Sequence, residues 1–290
     1  MALDIERLLA YAIPDNTMTY TARDTILYAL GLGLGRDPID ERQLRFVYET
    51  NLLALPMMAT IIAAPHAWIR KADVGTGGKS VHAGISFKLN RPLPVEGSFV
   101  SRNTVAEVVD KGSGKAALIT TRREIFAEGG AAPICEVLST SMSRGDGGFG
   151  GKPESSLPLR PMPTRPADVS VDYLVEPRAG LIYRLSGDQN PLHVDPEAAR
   201  RAGFDRPILH GLCTYGMAGW ALLDQLCDAD PARLRAMSGR FSNPVYPGEV
   251  LRFEIWQELG DVRFRGSAPA RQATVIDYGE ATIRAAGDEA

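Results

Sequence analysis

Two hydrophobic patterns divide the chain. The segment "LHGLCTYGMAGWALLDQLC", beginning at Leu209, is rich in Leu, Ala, Met and Trp with little charge, and predicts a helix buried on most sides. Beyond it, "RFSNPVYPGEVLRFEIWQEL", "DVRFRGSA" and "RQATVIDYGEATIRA" alternate β-branched or aromatic residues with polar ones between Gly and Pro turns, the pattern of half-buried antiparallel strands. The first half repeats this plan. "ERQLRFVYETNLLALPMMATIIAAP" supplies its helical region, and "SVHAGISFKLNRPLPVEGSFVSRNTVAEVVDK", "KAALITTRREIFAEG" and "AAPICEVLSTSMSR" read as strands. The class is α+β, with one helix wrapped in a sheet in each half.

Between the halves, Ser143 to Pro166 is dense in Gly, Pro and Ser and reads as a linker with little to pack into a core. The expected division is 1–145, a linker over 146–166, and 167–290. The halves also resemble each other. "YALGLGLGRDP" from Tyr28 lines up with "YRLSGDQNPLH" from Tyr183 at an offset of 155, and Pro92 in "RPLPVEGSFV" lines up with Pro244 in "NPVYPGEVLRF" at 152. Similar offsets in the same order indicate a duplicated fold. In this alignment Gly33 stands opposite Asp188 and Pro38 opposite His193, so only the second half is chemically equipped.

Composition narrows the function. A chain of 290 residues with a formal net charge of -3 has no basic footprint for nucleic acid. No apolar run is long enough to span a bilayer, and the N-terminus lacks a signal pattern, so a cytoplasmic protein is expected. Cys135, Cys213 and Cys227 form neither a metal pattern nor a disulfide framework and are expected to be buried thiols. "DVGTGGKS" has Asp73 where a phosphate loop needs its first glycine, and "GLGLGR" has Arg36 where a dinucleotide fingerprint needs its third, so neither marks a nucleotide site. His66 and His82 read as structural histidines.

The candidate chemistry lies in "YRLSGDQNPLHVDPEAARRAGFDRPILHGL". Asp188 and His193 are five residues apart, which in a helix would set them about 140° from each other. Pro191 and Gly187 instead favour a loop that can point Asp188, Asn190 and His193 inward. A carboxylate beside a neutral imidazole is a general acid/base pair, and Asn190 can orient a water held between them. No nucleophile elbow accompanies it, so chemistry on water fits better than covalent catalysis. Gly211, where the buried helix begins beside His210, is the oxyanion-hole candidate. The plain alternative is that Asp188 and Asn190 form a turn and His193 satisfies a carbonyl. A metal held by Asp188, His193 and Asp195 matches no zinc or calcium spacing, so no metal is expected.

This stretch closely resembles the hydratase 2 motif of MaoC-like (R)-specific enoyl-CoA hydratases. "DTILYALGLG", "FVYETNLLALP", "RPLPVEG" and "FSNPVYPGEVLRFEIW" resemble the two-domain form found in multifunctional β-oxidation enzymes. The resemblance implies a double hot dog fold, each half a curved antiparallel sheet around a central helix, with a non-catalytic N-terminal hot dog. It implies reversible hydration of trans-2-enoyl-CoA to (3R)-3-hydroxyacyl-CoA by Asp188, His193, Asn190 and Gly211, without a dissociable cofactor, in a homodimer. His210, Arg206 and Arg240 are the expected substrate-binding residues. Two other functions stay open: a hot dog acyl-CoA thioesterase, disfavoured because "ILHGLCTYGMAGWALL" carries no carboxylate, and a non-catalytic acyl-CoA-binding or scaffold subunit.

Overall fold

The computed structural model describes residues 3–65, 68–74, 80–157, 159–258 and 261–285. His66 and most of "DVGTGGKS" lie outside the described residues. The first half runs α1 (Ile5–Ala10), β1 (Asn16–Tyr20), α2 (Ala22–Gly31), α3 (Glu41–Val47), a 3-10 turn (Pro56–Thr60), α4 (Trp68–Ala72), β2 (Ser80–Leu89), β3 (Gly97–Asp110), β4 (Ala117–Ala127) and β5 (Cys135–Ser143). The second half runs β6 (Val169–Leu174), α5 (Ala179–Tyr183), 3-10 turns at Arg184–Ser186 and Pro191–His193, α6 (Pro196–Arg201), α7 (Gly211–Leu226), β7 (Leu234–Phe241), β8 (Val250–Glu258), β9 (Asp261–Ala268) and β10 (Ala273–Ile283).

The strands form one sheet in the order β1-β3-β4-β5-β2-β7-β10-β9-β8-β6. Read from either end, the order is the same when β1 to β5 are exchanged for β6 to β10, so the duplication in the sequence is a pseudo-twofold axis in the fold. The axis passes between β2 and β7, which pair antiparallel from Gly84↔Arg240 to Lys88↔Ala236. Tyr28 and Tyr183, the aligned residues of the repeat, meet near it with ring centroids 5.8 Å apart. This is the double hot dog fold, and among the described residues no helix is long and apolar enough to cross a membrane.

The halves differ in what fills the sheet. In the second half α7 is buried along Cys213 to Leu223. Its small residues admit side chains of the first half: a Cβ on Gly216 would lie 2.6 Å from Leu32, and one on Gly219 would collide with Met57. One core therefore spans both halves. In the first half, among the described residues, the expected helical region forms only α3 and a 3-10 turn and no long central helix. Pro56 opens only a five-residue 3-10 turn after a left-handed Asn51 (φ 55), and a second left-handed residue, Ala63 (φ 47), follows it. Proline removes a helical donor and positive φ breaks the helical path, so the apolar run "LLALPMMATII" packs without becoming a helix.

The linker is more ordered than its composition implies. The Asp110 carboxylate, at the end of β3, accepts hydrogen bonds from the amides of Gly148, Gly150 and Gly151 at 2.7, 2.8 and 3.3 Å. Glu107 holds Lys152, Ser155 and Ser156 in the same way, and Phe149 packs against a small second core. Backbone amides, those of Gly148 and Gly112 foremost, hold the Asp110 carboxyl below its usual range, and the Lys152, Ser155 and Ser156 donors of Glu107 outweigh its burial to bring it to about 2. All three cysteines are buried free thiols.

Candidate active site

The loop between α5 and α7 is built by local capping. Gly187 takes a left-handed φ of 119, turning the chain after the 3-10 segment. Asp188 Oδ1 then accepts the amide of Asn190 at 3.1 Å, and Asn190 Oδ1 accepts the amide of Leu192 at 3.1 Å, opening the turn that carries His193. Asp195 caps α6 by accepting the amide of Glu197 at 2.8 Å. Its carboxylate is thereby committed, and the structure gathers His210 with Asp188 and His193 instead of Asp195.

The turn leaves Asp188 Oδ2 facing His193 Nε2 at 3.9 Å. His193 Nδ1 lies 2.8 Å from the Ile208 carbonyl. A carbonyl only accepts, so the neutral ring carries its proton on Nδ1 and presents the Nε2 lone pair toward Asp188. The structure forms the turn and the carbonyl contact of the plain alternative, and the same turn leaves Asp188 Oδ2 and His193 Nε2 facing each other. Burial lowers the His193 pKa, against the opposing pull of Ile208 and Asp188.

His210 is buried behind this pair. Its Nε2 donates to the Asp188 carbonyl at 3.0 Å, and its ring stacks on His193 with centroids 3.7 Å apart and 27° between planes. Burial, then the neighbouring His193, press its pKa down to about 4. The stacking also bears on metal binding. An ion about 2.0 Å from each nitrogen must lie in both ring planes. Planes 27° apart and 3.7 Å between centres meet well beyond that distance, so these two imidazoles do not chelate one ion in this arrangement.

Gly211 is the first residue of α7, and no side chain caps this helix end. The first amides of a helix lack intrahelical acceptors, and the dipole adds positive potential there. A Cβ on Gly211 would lie 3.3 Å from the Phe241 ring, so the floor of the site is tight as well as polar. Phe241 in turn meets His82 of β2, ring centroids 4.9 Å apart. His82, read from the sequence as structural, therefore stands beside the site. A bulge between His82 and Gly84 marks its strand, and bulges re-aim side chains. Its Nε2 lies 3.1 Å from Ser139 Oγ, and burial takes its pKa to about 4 even though Asp188 pulls it up.

The expected substrate residues part ways. Arg206 is exposed on the loop before α7, its guanidinium 4.8 Å from the centre of the Tyr246 ring. Arg240 is not brought to the cluster. It follows Gly239, against which Tyr215 and Phe264 pack, and precedes Phe241, so strand alternation sets exposed Arg240 on the opposite face of β7 from α7. The sequence places it near the motif segments, but its strand parity turns it away.

Comparison with known proteins gives the lineage of this geometry. Residues 18–145 match the MFE-2 hydratase 2 N-terminal domain and residues 159–277 the MaoC like domain. The chain is 40% identical to 3-hydroxyacyl-thioester dehydratase Y of Mycobacterium tuberculosis, over 96% of this chain and 98% of that protein. It is 35% identical to the peroxisomal enoyl-CoA hydratase 2 of Arabidopsis thaliana, over 93% and 92%. The crystal structure of a MaoC-like dehydratase from Phytophthora capsici superposes with a TM-score of 0.85 at 31% identity, covering 97% of this chain and 99% of that one. With both halves matched in order over most of its length, the chain belongs to the MaoC-like hydratase 2 family, in its two-domain form.

Proposed function

We propose that this protein hydrates trans-2-enoyl-CoA reversibly to (3R)-3-hydroxyacyl-CoA, with Asp188 and His193 acting on one water. The observation that carries the reading is the 3.9 Å separation of Asp188 Oδ2 and the unprotonated His193 Nε2. It is too long for a direct hydrogen bond and suits one water donating a proton to each acceptor. The water oxygen attacks C3, the pair takes the proton it releases, and a proton is returned to C2 on the same face. The pair ends unchanged, and no dissociable cofactor enters the balance.

The electron pair that moves to the thioester oxygen forms an enolate, which the Gly211 amide at the α7 N-terminus stabilises. Asn190 has a second role. Its amide N–H and side-chain oxygen fix the Asp188 turn, which supports positioning of the water through the carboxylate. Arg206 at the rim is the proposed contact for CoA phosphates. Residues 167–290 would carry the chemistry and 1–145 would shape the acyl site, joined by 146–166. The thioesterase alternative needs a carboxylate on the central helix near the thioester, and the segment Ile208–Leu223 has none. Asp224, the acid of α7, is about 20 Å along the helix from Gly211 and is bound by Tyr173 and Arg42.

The test is loss of enoyl-thioester absorbance on mixing purified protein with crotonyl-CoA, followed by chiral analysis of the product. Free CoA instead of the 3R alcohol would sink the reading.

A further inference from the structure

Among the described residues each half buries an arginine, and they differ in partners: Arg263 of β9 donates to the carbonyls of Gly279, Pro161 and Arg160 with Glu280 3.7 Å away, whereas Arg123 of β4 has far fewer acceptors. Arg123 is 6% exposed and faces inward from β4, between Thr121 and Ile125, which are buried on the same face. No carboxylate pairs with it among the described residues. Its Nη2 donates to the Thr60 carbonyl at 2.6 Å, and its buried Nε makes no hydrogen bond. A guanidinium has five N–H donors, and a buried charge without a counter-charge is costly, so the Thr60 contact alone does not account for a cation here. A glutamine would serve that carbonyl. Asn103, its register partner on β3, is neutral and supplies no opposing charge.

Arg123 shares its face of the sheet with the catalytic side. His82 Nε2 meets Ser139 Oγ, Ser139 stands opposite Thr121, and Arg123 is the next inward residue of that strand. His82 feels both ends, since Asp188 favours its protonated form and Arg123 opposes it. In place of a central helix, the buried turn Pro56–Thr60 packs on β2 and β5 and lays the Thr60 carbonyl on Arg123.

We propose that Arg123 is an anion-binding site in the interior of the first half, which receives a carboxylate at the far end of an acyl chain whose thioester end lies at Asp188 and His193. The substrate class is then ω-carboxyacyl-CoA, in preference to plain acyl-CoA of equal length. The placement of the thioester rests on the hydratase reading; the anion site does not.

Calorimetric binding separates the two. Saturated acyl-CoA and ω-carboxyacyl-CoA pairs, matched in length from C6 to C16, are titrated into wild type and Arg123→Met. The proposal expects at least tenfold tighter binding of the carboxylated member at one or more lengths in wild type, and loss of that preference in Arg123→Met with plain acyl-CoA binding kept. No preference at any length in wild type overturns it, as does a preference that survives in Arg123→Met. Should Arg123→Met not fold, Arg123→Gln, which keeps the donor to Thr60, takes its place. Wild type that binds the carboxylated chains more tightly but hydrates neither their trans-2 derivatives nor crotonyl-CoA would refute the hydratase reading and leave the anion site standing.

Discussion

His193 and His210 lie face to face, 3.7 Å between ring centroids, and this contact keeps both imidazoles from carrying charge at once. The folded-state pKa of His210 is about 4 against an ordinary value of 6.5. Below pH 6.5 the unfolded chain takes up a proton that the folded one refuses, so stability falls as pH drops and levels off near 4. Between pH 7.5 and 5 the loss from His210 is about 2 kcal/mol. Urea midpoints across that range check it, with a flatter slope expected in His210→Gln, whose amide can still donate to the Asp188 carbonyl.

Gly180 packs under the catalytic loop. A Cβ there would lie 2.9 Å from the His193 carbonyl oxygen, a backbone atom that cannot rotate aside. Gly180→Ala is expected to shift the loop and reduce kcat at least tenfold without touching substrate, at a stability cost of about 1–3 kcal/mol. Steady-state kinetics beside a thermal melt would show it; unchanged kcat would mean that the loop has slack.

Asp110 gathers the glycine amides of the linker. In Asp110→Ala those amides lose their acceptor, and the segment around residues 147–157 should become the first site of limited proteolysis. Cleavage fragments identified by mass spectrometry would locate the cut, and wild type should resist under the same conditions.

Arg206 stacks on Tyr246 at the rim. A rim contact to CoA phosphates contributes equally in ground and transition states, so Arg206→Ala should raise KM about three- to tenfold with kcat kept. Arg240→Ala, on the far face of β7, should leave both unchanged.

The sequence held the site better than it held the fold around it. Asp188, Asn190 and His193 were legible because a short turn encodes its own geometry: Gly187 and Pro191 exclude a helix, and Asx-type bonds need only neighbouring residues. The repeat was legible through Tyr28 and Tyr183, which meet across the pseudo-twofold. The missing helix of the first half was not, since an apolar stretch looks alike as helix or as packed turn until Asn51 and Ala63 adopt positive φ. His82 and Arg123 were out of reach for another reason. His82 comes beside the site only because β2 and β7 of two distant halves pair at the centre of the sheet, and Arg123 meets a carbonyl 63 residues earlier in the chain, which no local spacing records.

The proposed hydration depends on one water held between Asp188 and His193. Its most direct test is the rate of crotonyl-CoA hydration by wild type, Asp188→Asn and His193→Ala, with near-ultraviolet circular dichroism confirming the fold of each. In each variant kcat should fall by about 10²–10⁴. The double variant should be little worse than either single one, because the two groups act on the same water. Either variant retaining wild-type turnover while folded would contradict it.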